Sequence, residues 1–107
     1  MNRGVRVDLV VPADHPAFAG HVPGAPVLPG VVLLAEAIEA LRARPELQPA
    51  SADADALLQV DHVKWLAPVG PGDRLVLELA VRDGGVDFDV TRGTTAVARG
   101  RLSWQPR

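Results

Sequence analysis

The residues of this chain that could do chemistry fall within one stretch, residues 15 to 38, HPAFAGHVPGAPVLPGVVLLAEAI. His21 lies between Gly20 and Val22-Pro23, and Pro29-Gly30 opens the apolar run Val31, Val32, Leu33, Leu34, Ala35. An imidazole changes charge near neutral pH, so a histidine held in a fixed loop can take up a proton and return it. The first N–H groups of a helix have no partner within the helix and carry its positive dipole end. They therefore favour an oxygen on which negative charge develops. A stiff loop that presents His21 beside the donor-rich start of a buried helix is an active-site construction.

The elements around this stretch must hold it still. Pro12, Pro16, Pro23, Pro26 and Pro29 fall in or just before it. Proline fixes φ and removes a backbone donor, so the segment is neither helix nor central strand but a loop of preset shape. Gly30 to about Arg44 reads as a helix, with Val31, Leu34, Ala35, Ile38 and Leu41 as its apolar stripe, stopped by Pro45. Ahead of the loop, residues 5 to 11 alternate as a half-buried strand. After the helix, 45 to 55 reads as a surface connection. Leu57 to Ala67 is then a strand, Pro68 to Gly72 a turn, and Leu75 to Arg82 a strand. Asp83-Gly84-Gly85 is a hairpin signal leading into Val86, Phe88 and Val90. Arg92-Gly93 marks another turn, and Thr94 to Trp104 is the last strand. Short turns force antiparallel neighbours, so the expected architecture is α+β, an antiparallel sheet covered on one face by a single helix.

Composition narrows the function classes. At 107 residues one domain, 1–107, is expected. The core must be aliphatic, since there are only two Phe, two Trp and no Tyr, and so thin a core favours dimerisation. A net charge of −2 with mixed signs gives no electrostatic footprint for nucleic acid. The absence of cysteine excludes disulfides, thiolate metal sites and cysteine nucleophiles. No apolar run reaches the ~18 residues of a membrane span, and MNRGVRVDLVVP lacks the apolar region of a signal peptide. A soluble, cytoplasmic protein is expected.

With these residues in view, GHVPGAPVLPGVVLL resembles the GHFPGxPxxPGVLxxE signature of the 3-hydroxyacyl-acyl-carrier-protein dehydratases, which have the hot-dog fold. VKWLAPVGPGDRLVLEL, Val63 to Leu79, is similar to that family's later strand-turn-strand with its PGD turn. The resemblance implies a hot-dog domain that acts on acyl carrier protein or CoA thioesters without a cofactor. It also implies a homodimer, or a heterodimer, with active sites at the interface. His21 matches the catalytic histidine, which would take the proton next to the thioester carbonyl. Gly30 matches the glycine whose N–H would hold the carbonyl oxygen, and Pro29, Val31 and Val22 would line the substrate pocket. In the family the histidine of one subunit faces an acid on the central helix of the other, and that acid helps the hydroxyl depart as water.

Two positions break the pattern. The family's acid falls at Ala35, and Glu36 comes one residue later, turned by about 100° around a helix. Val22 also replaces the usual phenylalanine. Three readings follow. The chain is a dehydratase with Glu36 as a displaced catalytic acid; or it supplies His21 to a heterodimer, or has a related thioester activity such as a hot-dog thioesterase; or it binds acyl thioesters without turning them over.

Other polar residues read as structural. His15 before Pro16 braces the loop, and His62, with Asp61 beside it and Lys64 on its face, is a surface or interface residue. Asp14, His15 and His21 lack a metal-ligand spacing. Ser51 and Ser103 lack a glycine elbow. Arg92, Arg99, Arg101 and Arg107 form an acid-free terminal segment that could meet an acidic carrier protein, or simply make an ordinary polar face.

Overall fold

A computed structural model describes residues 4–16, 28–49 and 57–105. In chain order they form strand β1 (Gly4–Val10), helix α1 (Gly30–Arg42), a single 3-10 turn (Pro45–Leu47), and strands β2 (Leu57–Trp65), β3 (Arg74–Arg82), β4 (Gly85–Arg92) and β5 (Thr95–Gln105). The sheet runs β1-β3-β4-β5-β2 and every pairing is antiparallel. Strands β1 and β2 are therefore the two edges.

Period-two patterning decides which face is covered. Leu75, Leu77 and Leu79 of β3 and Val86, Phe88 and Val90 of β4 are all buried on the helix side. The intervening residues form an outward row in register across all five strands: Lys64, Arg99, Asp89, Glu78, Arg6. All five are exposed, so this face is solvated. Between β3 and β4 the chain reverses through Asp83 and Gly84, both at positive φ (48° and 76°), the two-residue turn whose twist matches the strands.

Helix α1 buries Leu33, Ala37 and Leu41, spaced four residues apart. This corrects the expected stripe: Val31 is 68% exposed and Ala35 is exposed too. The first half of the helix is apolar all round, so periodicity alone cannot choose its inner face. The choice is made by the approach to the helix, where the Leu28 N–H donates to the Val69 carbonyl at 2.7 Å and Pro29 leads in with an extended ψ of 139°. Leu47 corrects a second expectation, because it is buried although 45 to 55 read as a surface connection.

Two bulges shape the strands around the site. In β5, Thr91 pairs Ala96 but Val90 pairs Ala98, leaving Val97 as an extra residue that is fully buried. Its carbonyl accepts the N–H groups of Leu66 and Ala67 (2.8 and 3.2 Å), tying down the chain as it leaves β2. In β2, Asp61 is the extra residue between Val60 and His62. It accepts hydrogen bonds from Gln59 (2.8 Å) and Ser103 (2.7 Å).

The arginines of the last strands are matched to carboxylates. Arg92 reaches Asp73 (3.1 Å), Arg99 reaches Asp89 (3.5 Å), and Arg101 reaches Asp61 and Asp87 (3.5 and 3.0 Å). Arg92, Arg99 and Arg101 thus each have a carboxylate partner, and Arg107 lies outside the described residues. Asp87 also accepts from Arg82, which holds its carboxyl below the ordinary carboxylate range against the opposing effect of partial burial, with Arg101 adding to it. A depressed carboxylate stabilises the fold above its unfolded value and loses that contribution as pH falls through the folded one. Asp87→Asn is therefore expected to flatten the acid limb of a pH–stability curve below about pH 4 and to leave the curve above pH 5 parallel to the wild type's. An acid limb of unchanged slope would show that Asp87 does not contribute.

Candidate active site

The site is built at the start of α1. Pro29 is the N-cap and provides no side-chain hydrogen bond, and the first turn contains no acidic residue. Val32 turns its N–H back to the Pro29 carbonyl at 3.0 Å, so Gly30 and Val31 are left with N–H groups that have no partner in the helix. The positive end of the dipole is likewise not balanced by any side chain of that turn.

The chain leaving β2 forms a wall opposite this helix start. Anchored by Val97, residues 65 to 69 pass in front of Gly30, and the Trp65 ring lies so close that a methyl group on Gly30 would sit 2.8 Å from it. Only glycine allows this approach. Leu28, Gly30, Leu33, Trp65, Ala67 and Val69 line an apolar cavity of about 340 Å³. Trp65 is 48% exposed, so the cavity opens beside the β2 edge.

The expected site residues divide into three groups. His21 and Val22 lie outside the described residues. Gly30 lies in the cavity, with Pro29 as its N-cap, while the Val31 side chain is turned outward and does not line it. Glu36 lines a different cavity of about 220 Å³, on the β1 side of the helix, together with His15, Val32, Leu9 and Pro12. The structure thus brings Gly30 and Glu36 to separate places. His62 is exposed on β2. Among the described residues no group of His, Asp or Glu could hold a metal ion, and no helix is long and apolar enough to cross a membrane.

Trp65 and its neighbours were not singled out from the sequence as site residues. The signal was present: a tryptophan placed before LAPVGPGD, at the end of a strand, in the second stretch of the family pattern.

Comparison with known proteins gives the same picture. A family model described as ApeI-like, ApeI dehydratase, matches residues 1–101. The 3-hydroxyacyl-acyl-carrier-protein dehydratase FabZ of Myxococcus xanthus (strain DK1622) is 38% identical over 97 residues, covering 87% of this chain and 63% of that protein. The chain spans about half the length of other curated relatives, such as the FabZ of Anaeromyxobacter sp. (strain Fw109-5), of which it covers 48%. The solved dehydratase heterocomplex ApeI:P from Xenorhabdus doucetiae superposes with a TM-score of 0.73 at 17% identity, covering 99% of this chain and 95% of that one. Slr0204, a 1,4-dihydroxy-2-naphthoyl-CoA thioesterase from Synechocystis, superposes with a TM-score of 0.61 at 19% identity, covering 94% and 79%. The five antiparallel strands and single α-helix of the described residues are the hot-dog fold, and the chain belongs to the ApeI-like dehydratase family.

Proposed function

We propose that this chain forms one half of an active site that removes water from 3-hydroxyacyl thioesters, carried on acyl carrier protein or coenzyme A, in fatty-acid or polyketide-type synthesis in the cytoplasm. The observation that carries this reading is the uncapped start of α1, opening on an apolar cavity directly after the GHVPGAPVLPG motif. The thioester oxygen rests on the N–H of Gly30, where the dipole stabilises the enolate-like charge. His21 takes a proton from the carbon next to the carbonyl. The electron pair of that C–H bond becomes the new double bond as the C–O bond to the hydroxyl breaks. The hydroxyl leaves as water with a proton returned by the His21 imidazolium or given by an acid.

Glu36 of the same chain lines the other cavity, away from Gly30. A partner subunit is the better source. Among the described residues the β2 edge has no neighbouring strand; it exposes Leu57, Val60, Trp65 and Leu66 (53, 42, 48 and 40%), and the α1 flank exposes Val31 and Ala35. An unpaired strand with apolar side chains is a template for a second chain. A second subunit along β2 would close the open side of the Gly30 cavity and face Ala35, where the family has its acid. A second copy brings Ala35 to that place and leaves the proton to the His21 imidazolium, whereas a different chain, as in the heterocomplex ApeI:P, can bring the acid.

Incubation of the purified protein with 3-hydroxybutyryl thioesters of carrier and of coenzyme A tests the reading. The expected result is the α,β-unsaturated thioester, with thiol release at background. Release of free thiol without the unsaturated product would replace the dehydratase with a thioesterase. Tight binding with neither product would leave a binding module.

A further inference from the structure

We infer that Asp73 and Arg92 are positioning residues for this site: together they orient the peptide unit to which the chain entering α1 is tied. The inference rests on the thioester reading above and adds the residues that set where the Gly30 N–H points.

The helix start does not hold itself in place. Pro29 caps α1 without a side-chain hydrogen bond, and Gly30 has no side chain to pack. Two residues before Gly30, the Leu28 N–H donates to the carbonyl of buried Val69 at 2.7 Å. That carbonyl and the Gly70 N–H are the two ends of one planar peptide unit, so neither turns without the other. Asp73 holds the far end: its Oδ2 accepts the Gly70 N–H at 2.8 Å. Arg92 Nη1 donates to the same Oδ2 at 3.1 Å and to the Pro68 carbonyl at 2.7 Å, so the peptide unit before Val69 is held as well. The Asp73 and Arg92 side chains are 28 and 34% exposed, and their charge-assisted bonds are partly shielded from water. Asp73 also ties the turn to the end of β1, since its backbone carbonyl accepts the Val11 N–H at 2.9 Å. Charge thus fixes a turn, the turn fixes a carbonyl, and the carbonyl fixes the chain that enters the helix at Gly30. A shift of ~1 Å in a group that must meet a developing charge costs about 10²-fold in rate, even when its cause lies far from the chemistry.

The test measures kcat and KM for a 3-hydroxybutyryl thioester, and amide hydrogen exchange, in wild type, Asp73→Ala, Asp73→Asn and Arg92→Met. Asp73→Ala is expected to lower kcat about 10- to 100-fold, and Arg92→Met about tenfold, with KM near the wild-type value. Asp73→Asn keeps an oxygen for the Gly70 N–H and is expected to stay within about threefold of wild type. In Asp73→Ala the Leu28 amide is expected to exchange about tenfold faster or more, while amides in the middle of the β3–β4 ladder keep their wild-type rates. A role confined to stability would speed both sets of amides together, and that result overturns the inference. So does an unchanged Leu28 amide, a wild-type kcat in folded Asp73→Ala, or a fall in Asp73→Asn as deep as in Asp73→Ala. Arg92→Met leaves Asp73 in place and serves, with the same expectation at Leu28, if Asp73→Ala does not fold. Turnover of no 3-hydroxyacyl thioester by wild type defeats the dehydratase reading instead, and the exchange pattern then decides the inference by itself.

Discussion

His21→Ala is expected to lower kcat for loss of water from a 3-hydroxyacyl thioester by about 10²–10⁴-fold, while Glu36→Gln leaves kcat near the wild-type value. The contrast follows from geometry. Gly30, which would hold the thioester oxygen, and Glu36 are six residues apart on one helix. That separation is about 9 Å along the axis and about 120° around it, at ~1.5 Å and ~100° per residue. A carboxyl so placed lines the cavity shared with His15, not the one shared with Trp65. Removing it takes away nothing within reach of a hydroxyl whose thioester oxygen rests on Gly30. His21 precedes Gly30 by nine residues in the proline-rich stretch and matches the residue that the family motif makes the base. A rate for Glu36→Gln that falls as far as that for His21→Ala, with the melting temperature unchanged, would return Glu36 to the role of general acid and discard the partner-supplied acid. An unchanged rate for His21→Ala would remove the proposed mechanism altogether.

The fold was legible wherever a residue's burial follows from strict alternation. Leu75, Leu77 and Leu79, then Val86, Phe88 and Val90, read as one face because Glu78, Ala80, Asp87 and Asp89 alternate with them, and Asp83-Gly84 marks a turn between the two strands. The inner face of α1 was hidden in a run where Val31, Val32, Leu33, Leu34 and Ala35 are all apolar. A hydrogen bond from Leu28 to a residue of a later segment sets it. The bulge at Val97 left no mark in composition, yet its carbonyl anchors the wall of the site. The arginine pairs needed the strand register, which brings Arg99 beside Asp89 and Arg101 beside Asp87. At the site, Gly30 was legible because a motif precedes it. Trp65 shows only as a member of the second stretch of the family pattern, and its approach to Gly30 is a tertiary contact that no local spacing encodes.

Gly100→Ala is expected to be the most damaging single methyl in the described core, destabilising the protein by about 3 kcal/mol and lowering the melting temperature by roughly 15 °C. Gly100 lies in the middle of β5, paired with Phe88 of β4 on one side and Val63 of β2 on the other. A Cβ there would stand 2.5 Å from the His62 carbonyl oxygen and 2.7 Å from the Phe88 ring. Neither neighbour can give way cheaply. The first is the backbone of the adjacent strand, held in the ladder that also positions Trp65. The second is a buried aromatic among Leu and Val side chains that already fill the core. Phe88→Leu on the Gly100→Ala background removes only the ring contact, so it is expected to recover part of the loss and give a non-zero coupling in a double-mutant cycle. The sequence shows merely a glycine inside a strand, a residue that is ordinarily a weak point there and improves on replacement by alanine where space allows. A melting temperature for Gly100→Ala equal to or above that of the wild type would mean that β4, β5 and β2 do not pack at this distance, and with them would go the placement of Trp65 over Gly30.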